Sequence, residues 1–149
     1  MQEDLPSIVM SQRDHESLLA LATLAVSRLP EANFLLRELE RAQLTDPAGI
    51  DPATVTMNSQ VEFAYGRSTG VETVTLVFPG EQDPATGRVS VLTPVGAALI
   101  GLSKGQTIAF QAPRWEEKTL TVLRVLPPSQ LHNLSPAEGG SGAAGVRGG

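Results

Sequence analysis

The sequence predicts an α+β fold, and three observations carry that reading. Apolar residues recur at three- and four-residue spacing only within residues 11–44. From residue 55 to 126 the pattern changes to short runs rich in Val, Thr, Leu and aromatics, and one helix begun by proline interrupts those runs. The expected architecture is a short N-terminal antiparallel helical hairpin of coiled-coil type, then an antiparallel sheet with one covering helix. Residues 1–10 read as a flexible N-terminus, 45–54 as a linker and 127–149 as a flexible Gly-rich tail.

Ser11 is a good N-cap, with Asp14 in the first turn behind it, so the first helix starts here. Leu18, Leu21, Ala22, Ala25 and Leu29 line one face of a helix expected to end near Arg28. Pro30 interrupts that pattern and suits a first helical position, where Glu31 complements the positive end of the helix dipole. The second helix follows with a stripe of Leu35, Leu39 and Ala42, while Arg37, Glu38, Glu40 and Arg41 lie mostly outside it. Glu38 and Arg41 are spaced as a surface pair worth a few tenths of a kcal/mol. Two Asp-Pro steps and a Gly in residues 45–56 then stop the helical pattern.

Five strands are expected, at 61–65, 72–78, 88–92, 107–111 and 119–126. In the second, Val74, Leu76 and Phe78 alternate with Thr73 and Thr75, the pattern of a half-buried strand. The last turns apolar on both faces, which places it centrally. Between the third and fourth, Thr93 caps a helix, Pro94 takes its first position, and Gly101 or Gly105 supplies the stop. That helix covers one sheet face and leaves the other to solvent. Beyond Pro127-Pro128 the composition falls to Gly, Ser, Ala and Pro, which cannot bury enough apolar area to offset its ordering entropy.

Composition removes several classes of function. A net charge of −5 opposes long-range attraction to phosphate, and with 4% aromatic residues base-stacking platforms are nearly absent, so direct nucleic-acid binding is disfavoured. The lack of cysteine excludes disulfides, thiolate nucleophiles and Cys-based metal sites. Glu3 and Asp4 stand where a signal peptide needs positive charge, and no apolar run reaches ~18 residues, so a cytoplasmic chain without a membrane segment is expected. His15 and His132 fall in the first helix and the tail, without a motif around either, and read as a solvated helix residue and a tail residue. No phosphate-binding glycine loop follows a strand, and Glu116-Glu117 reads as a solvated loop pair. No catalytic residue, cofactor or metal is expected.

The segment Ser90-Val91-Leu92-Thr93-Pro94-Val95-Gly96-Ala97-Ala98-Leu99-Ile100-Gly101-Leu102 resembles the Ser-Pro-x-Gly-x-Ala-Leu-x-Gly stretch of bacterial Gre transcript-cleavage factors. Residues 38–43 (Glu-Leu-Glu-Arg-Ala-Gln), 55–61 (Val-Thr-Met-Asn-Ser-Gln-Val) and 94–99 together are similar to the regulator of nucleoside diphosphate kinase family, Rnk. The resemblance spans roughly residues 31–126. It implies an FKBP-like C-terminal fold and binding to RNA polymerase at the β′ rim of the secondary channel. The positions that match the docking loop are Leu92, Thr93, Pro94 and Val95, where Thr93 and Pro94 also cap the helix. Some Gre proteins carry an acid where this chain has Leu92, so an apolar contact must replace a charged one.

In Gre factors a long coiled coil reaches toward the polymerase active centre, and acids at its tip help hold a catalytic magnesium ion. Here a first helix of about 18 residues reaches only about 27 Å. The expected tip, Ser27-Arg28-Leu29-Pro30-Glu31-Ala32-Asn33, offers Arg28 and the single acid Glu31, which also serves the second helix's N-terminus. A hard divalent cation in that role needs several oxygens at once. The expectation is therefore a polymerase-binding regulator that competes with Gre factors without stimulating cleavage. Two other readings stand beside it. An FKBP-like proline isomerase would need an aromatic pocket from Phe63, Tyr65, Phe78, Phe110 and Trp115, most of which read as core. An effect on nucleoside triphosphate pools, suggested by the family name, would be indirect, since no nucleotide-binding motif is present.

Overall fold

The computed structural model describes residues 5–111 and 116–128. The order of elements is β1 (Val9–Ser11), α1 (Gln12–Ala25), α2 (Ala32–Arg41), β2 (Gln43–Thr45), β3 (Gln60–Tyr65), β4 (Glu72–Val77), β5 (Arg88–Ser90), α3 (Pro94–Leu99), β6 (Thr107–Gln111) and β7 (Glu117–Leu126). The fold is α+β. A five-stranded sheet has the order β5-β4-β3-β7-β6, and a separate two-stranded sheet pairs β1 with β2.

The first departure from expectation is at the N-terminus. Residues 8–11 are packed into the fold: Ile8 and Met10 are fully buried, and β1 pairs in parallel with β2 (Val9 opposite Gln43, Ser11 opposite Thr45). The Val9 N–H donates to the Gly101 carbonyl at 3.1 Å, and the Gln43 N–H donates to that of Ile8 at 2.9 Å. Apolar burial of two large side chains outweighs the ordering cost of so short a strand. Residues 129–149 of the expected tail lie outside the described residues, as do Trp115 and His132.

The helices are shorter than their apolar pattern. Ser11 caps α1 as expected, its Oγ accepting the Asp14 N–H at 3.0 Å. But α1 ends at Ala25, and residues 26–28 form a turn in which the Arg28 and Leu29 N–H groups both reach the Ala25 carbonyl. Pro30 disfavours helical backbone at Leu29, which pulls the stop upstream. Then Pro30 and Glu31 make a lead-in turn, and α2 starts at Ala32 rather than at the proline. Leu18 and Ala22 of α1 pack with Ala32, Leu35 and Leu39 of α2 in a continuous core.

In the large sheet β3 is central and β7 lies between β3 and β6, so β7 is interior without being the middle strand. The pairing is antiparallel except at β4–β5, which is parallel (Thr75 opposite Arg88) because residues 78–87 carry the chain back to the same end. Expected strand residues Val91 and Leu92 are instead a turn. Val61, Phe63, Ile108, Phe110, Leu120 and Val122 make the buried face, against which α3 and then α2 are stacked. The opposite face carries polar pairs, among them Thr107 with Thr121 (Oγ1 to Oγ1, 2.6 Å) and Glu62 with Arg124 (3.5 Å). No helix among the described residues is long and apolar enough to cross a membrane.

Candidate functional site

Residues 90–96 form a tightly bonded turn that runs into the first residues of α3. The Ser90 Oγ accepts the Leu92 N–H at 3.1 Å, and the Ser90 carbonyl accepts the Thr93 N–H at 3.1 Å. The Thr93 hydroxyl donates to that same carbonyl at 2.7 Å and accepts the Gly96 N–H at 3.0 Å, capping α3. Gly96 permits the approach: a Cβ there would sit 2.2 Å from the Ser90 oxygen and 2.9 Å from the Val91 Cα, both backbone atoms that cannot step aside.

This geometry sorts the four residues singled out from sequence. Leu92 is 8% exposed and belongs to the core, so its side chain supports the loop from beneath. The Thr93 hydroxyl is engaged on both its donor and acceptor sides. Thr93, Pro94 and Val95 are half-buried and leave the remainder of their surface to solvent. The loop is thus held in one conformation by its own hydrogen bonds, with Thr93, Pro94 and Val95 half-buried above Leu92.

The turn between α1 and α2 is the second feature named from sequence. Arg28 and Glu31 are both exposed there, and Glu31 makes no side-chain cap bond to α2. Leu24, near the end of α1, is 78% exposed. Among the described residues no three His, Asp or Glu side chains come close enough to hold a metal ion.

Three residues set aside as surface groups, Glu38, Arg41 and His15, turn out to be structural. Glu38 is only 3% exposed, and its Oε1 meets the Arg41 Nη2 at 2.7 Å. Arg41 also donates to the carbonyl of Pro6, so it fastens the N-terminal segment to α2. The pair is a buried carboxylate under a half-buried, tethered guanidinium rather than a solvated surface pair. His15 is half-buried, and its Nε2 lies 3.0 Å from the Leu39 carbonyl. A carbonyl only accepts, so that nitrogen carries the proton and satisfies a carbonyl in the last turn of α2. Their i, i+3 spacing and helix position were legible; the burial that changes their meaning depends on residues 6–10 folding over them.

A cleft of about 710 Å³ opens between the first turns of α1 and the 47–58 segment. Arg13, Asp14, Ile50, Asp51, Met57 and Phe78 are in its walls, with Pro127 where the chain leaves β7. Burial pushes the Asp14 carboxyl above the usual carboxylate range, against the pull of Arg13. Of the aromatics considered for an isomerase pocket that lie among the described residues, Phe78 alone lines this cleft. Phe63 and Phe110 are buried in the core, and Tyr65 packs on both, edge-on to Phe63 with ring centres 5.3 Å apart.

Two family models match successive stretches of the chain. Residues 6–44, which hold β1, α1, α2 and all but the last residue of β2, match the family described as the Rnk N-terminus. Residues 50–127 match the C-terminal family of the transcription elongation factors GreA and GreB. Over 121 residues the chain is 36% identical to the regulator of nucleoside diphosphate kinase of Escherichia coli K12, covering 80% of this chain and 89% of that protein. The chain belongs to the Rnk family. It is also 33% identical over 82 residues to the transcription elongation factor GreA of Solidesulfovibrio magneticus, covering 55% of this chain and half of that protein. Among solved structures it is similar to a GreA/GreB-type elongation factor from Nitrosomonas europaea, with 35% identity and a TM-score of 0.65 over 82% of this chain and 99% of that one. The sheet with α3 is therefore a GreA/GreB C-terminal-like fold, in a family of regulators and transcription factors.

Proposed function

We propose that this chain regulates transcription by binding RNA polymerase at the β′ rim of the secondary channel, where it competes with Gre factors and does not stimulate transcript cleavage. In this reading the 55–126 region is an FKBP-like anchor, 45–54 a linker, and residues 11–44 a short hairpin arm. Thr93, Pro94 and Val95 make the contact, with Leu92 as their support. It works in the cytoplasm, on polymerase itself rather than on nucleic acid or membrane, and needs no cofactor.

The observation that supports it best is a mismatch within one chain. The Gre-like loop is fixed by four hydrogen bonds, whereas the arm is too short and too poor in acids for the Gre reaction. With 14 residues, α1 extends about 21 Å, and Glu31 is the single acid at its turn. A loop already fixed by its own hydrogen bonds loses little entropy on docking. An arm without clustered carboxylates has nothing with which to hold a magnesium ion.

The test is competition against Gre-stimulated cleavage on a backtracked polymerase complex. Wild-type chain in excess is expected to suppress cleavage. Thr93→Asp combined with Pro94→Ala keeps the cap acceptor, adds a charge and removes the ring, and is expected to restore cleavage. Absence of suppression by the wild type at high excess would sink the reading, as would cleavage stimulated by the chain alone.

A further inference from the structure

The cleft beside α1 is not used by the docking loop, which lies elsewhere on the fold, and its walls carry two kinds of chemistry. Ile50, Met57 and Phe78 are apolar, while Asp14 and Asp51 bring two carboxylates against the one guanidinium of Arg13. A matching occupant has large apolar side chains and a group able to donate to a carboxylate. We propose that this occupant is the chain's own segment Gln130-Leu131-His132-Asn133-Leu134, folded back into the cleft of the same molecule.

The exit point of the chain favours this segment over any other. Pro127 is itself part of the cleft wall, and Pro128 is the last residue described. At ~3.3–3.6 Å per residue, Leu131 cannot lie more than about 14 Å from Pro127. Leu131 and Leu134 are the first large apolar residues after Leu126, and they flank His132. The next acid in sequence is Glu138, so nothing in the segment repels Asp14 or Asp51. Tethered a few residues from the wall, the segment meets the cleft at an effective concentration of roughly millimolar, and even weak contacts then suffice. Seated there, it joins the first turn of α1 to the 47–58 segment and adds a second brace to the base of the arm.

The chain has no cysteine, so Ser135→Cys gives a single site for a nitroxide label on the full-length protein. The expected result is strong paramagnetic broadening of the amide signals of Ile50 and Met57 in the labelled molecule. Adding Leu131→Ser and Leu134→Ser to that chain should reduce the broadening by roughly an order of magnitude, since both anchors are lost. The docking loop and polymerase binding play no part in this readout. Cleft signals that stay sharp, or broadening that survives the two serine substitutions, would overturn the proposal. So would equal broadening of an isotope-labelled, nitroxide-free copy mixed in, since the occupant would then come from a second molecule.

Discussion

The two ends of the helix pair are built in opposite ways. At the base, Arg41 ties Glu38 to the Pro6 carbonyl, His15 bridges to Leu39, Ile8 and Met10 are buried, and Val9 bonds to Gly101 of the sheet region. At the turn, Arg28 and Glu31 are exposed, Glu31 caps nothing through its side chain, and Leu24 stands in solvent. Nearly all the specific contacts of the helix pair lie at its base, and almost none at the turn. A helix pair with a reaction to perform at its tip would show the reverse.

Breaking the base should therefore be costly, and altering the tip should cost almost nothing. Arg41→Ala leaves the Glu38 carboxylate buried without its partner. The expected loss is about 3 kcal/mol, the low end for a buried pair because Arg41 keeps part of its surface in water, read from the urea midpoint. Gly101→Ala attacks the same junction through the backbone. Gly101 has φ +84°, and a Cβ there would lie 2.8 Å from that of Ile8, so a loss of about 2 kcal/mol is expected in the same measurement.

Smaller effects sharpen the contrast. Burial lifts the folded pKa of Asp14, so the folded chain holds that proton more tightly than the unfolded one does, and stability falls as pH rises through the interval between the two values. Asp14→Asn removes that loss. Thermal melts should show a higher Tm than wild type at pH 7 and no difference at pH 3. At the other end, Glu31→Gln should shift stability by less than about 0.5 kcal/mol, because the side chain is exposed and makes no cap bond to α2.

The sequence told more about local elements than about the contacts joining distant ones. Thr93 and Pro94 announce α3 because capping is settled within four residues, and the alternation of Val74 and Leu76 with threonines announces β4. The strand at Val9–Ser11 left no such signal: three residues are too few to show a period, and its partner lies more than thirty positions away. That omission also hid the burial of Glu38 and Arg41, whose spacing is the same for a solvated pair as for a buried one. The parallel pairing of β4 and β5 depends on the path of residues 78–87, which carries turn residues but no statement of direction. At the candidate site, the loop could be located from its motif. That Leu92 points into the core and the Thr93 hydroxyl is engaged on both sides emerges only from the fold around Ser90 and Gly96.

The most direct measurement sets the loop against the tip in binding to purified RNA polymerase core. Affinities are compared for wild type, for the chain with Thr93→Asp and Pro94→Ala, and for Glu31→Gln. Docking through the loop predicts that the double variant binds about tenfold or more weakly, a change of about 1.4 kcal/mol, while Glu31→Gln stays within about twofold of wild type. Wild-type affinity in the loop variant, with binding lost in Glu31→Gln, would contradict it and move the contact to the tip of the arm.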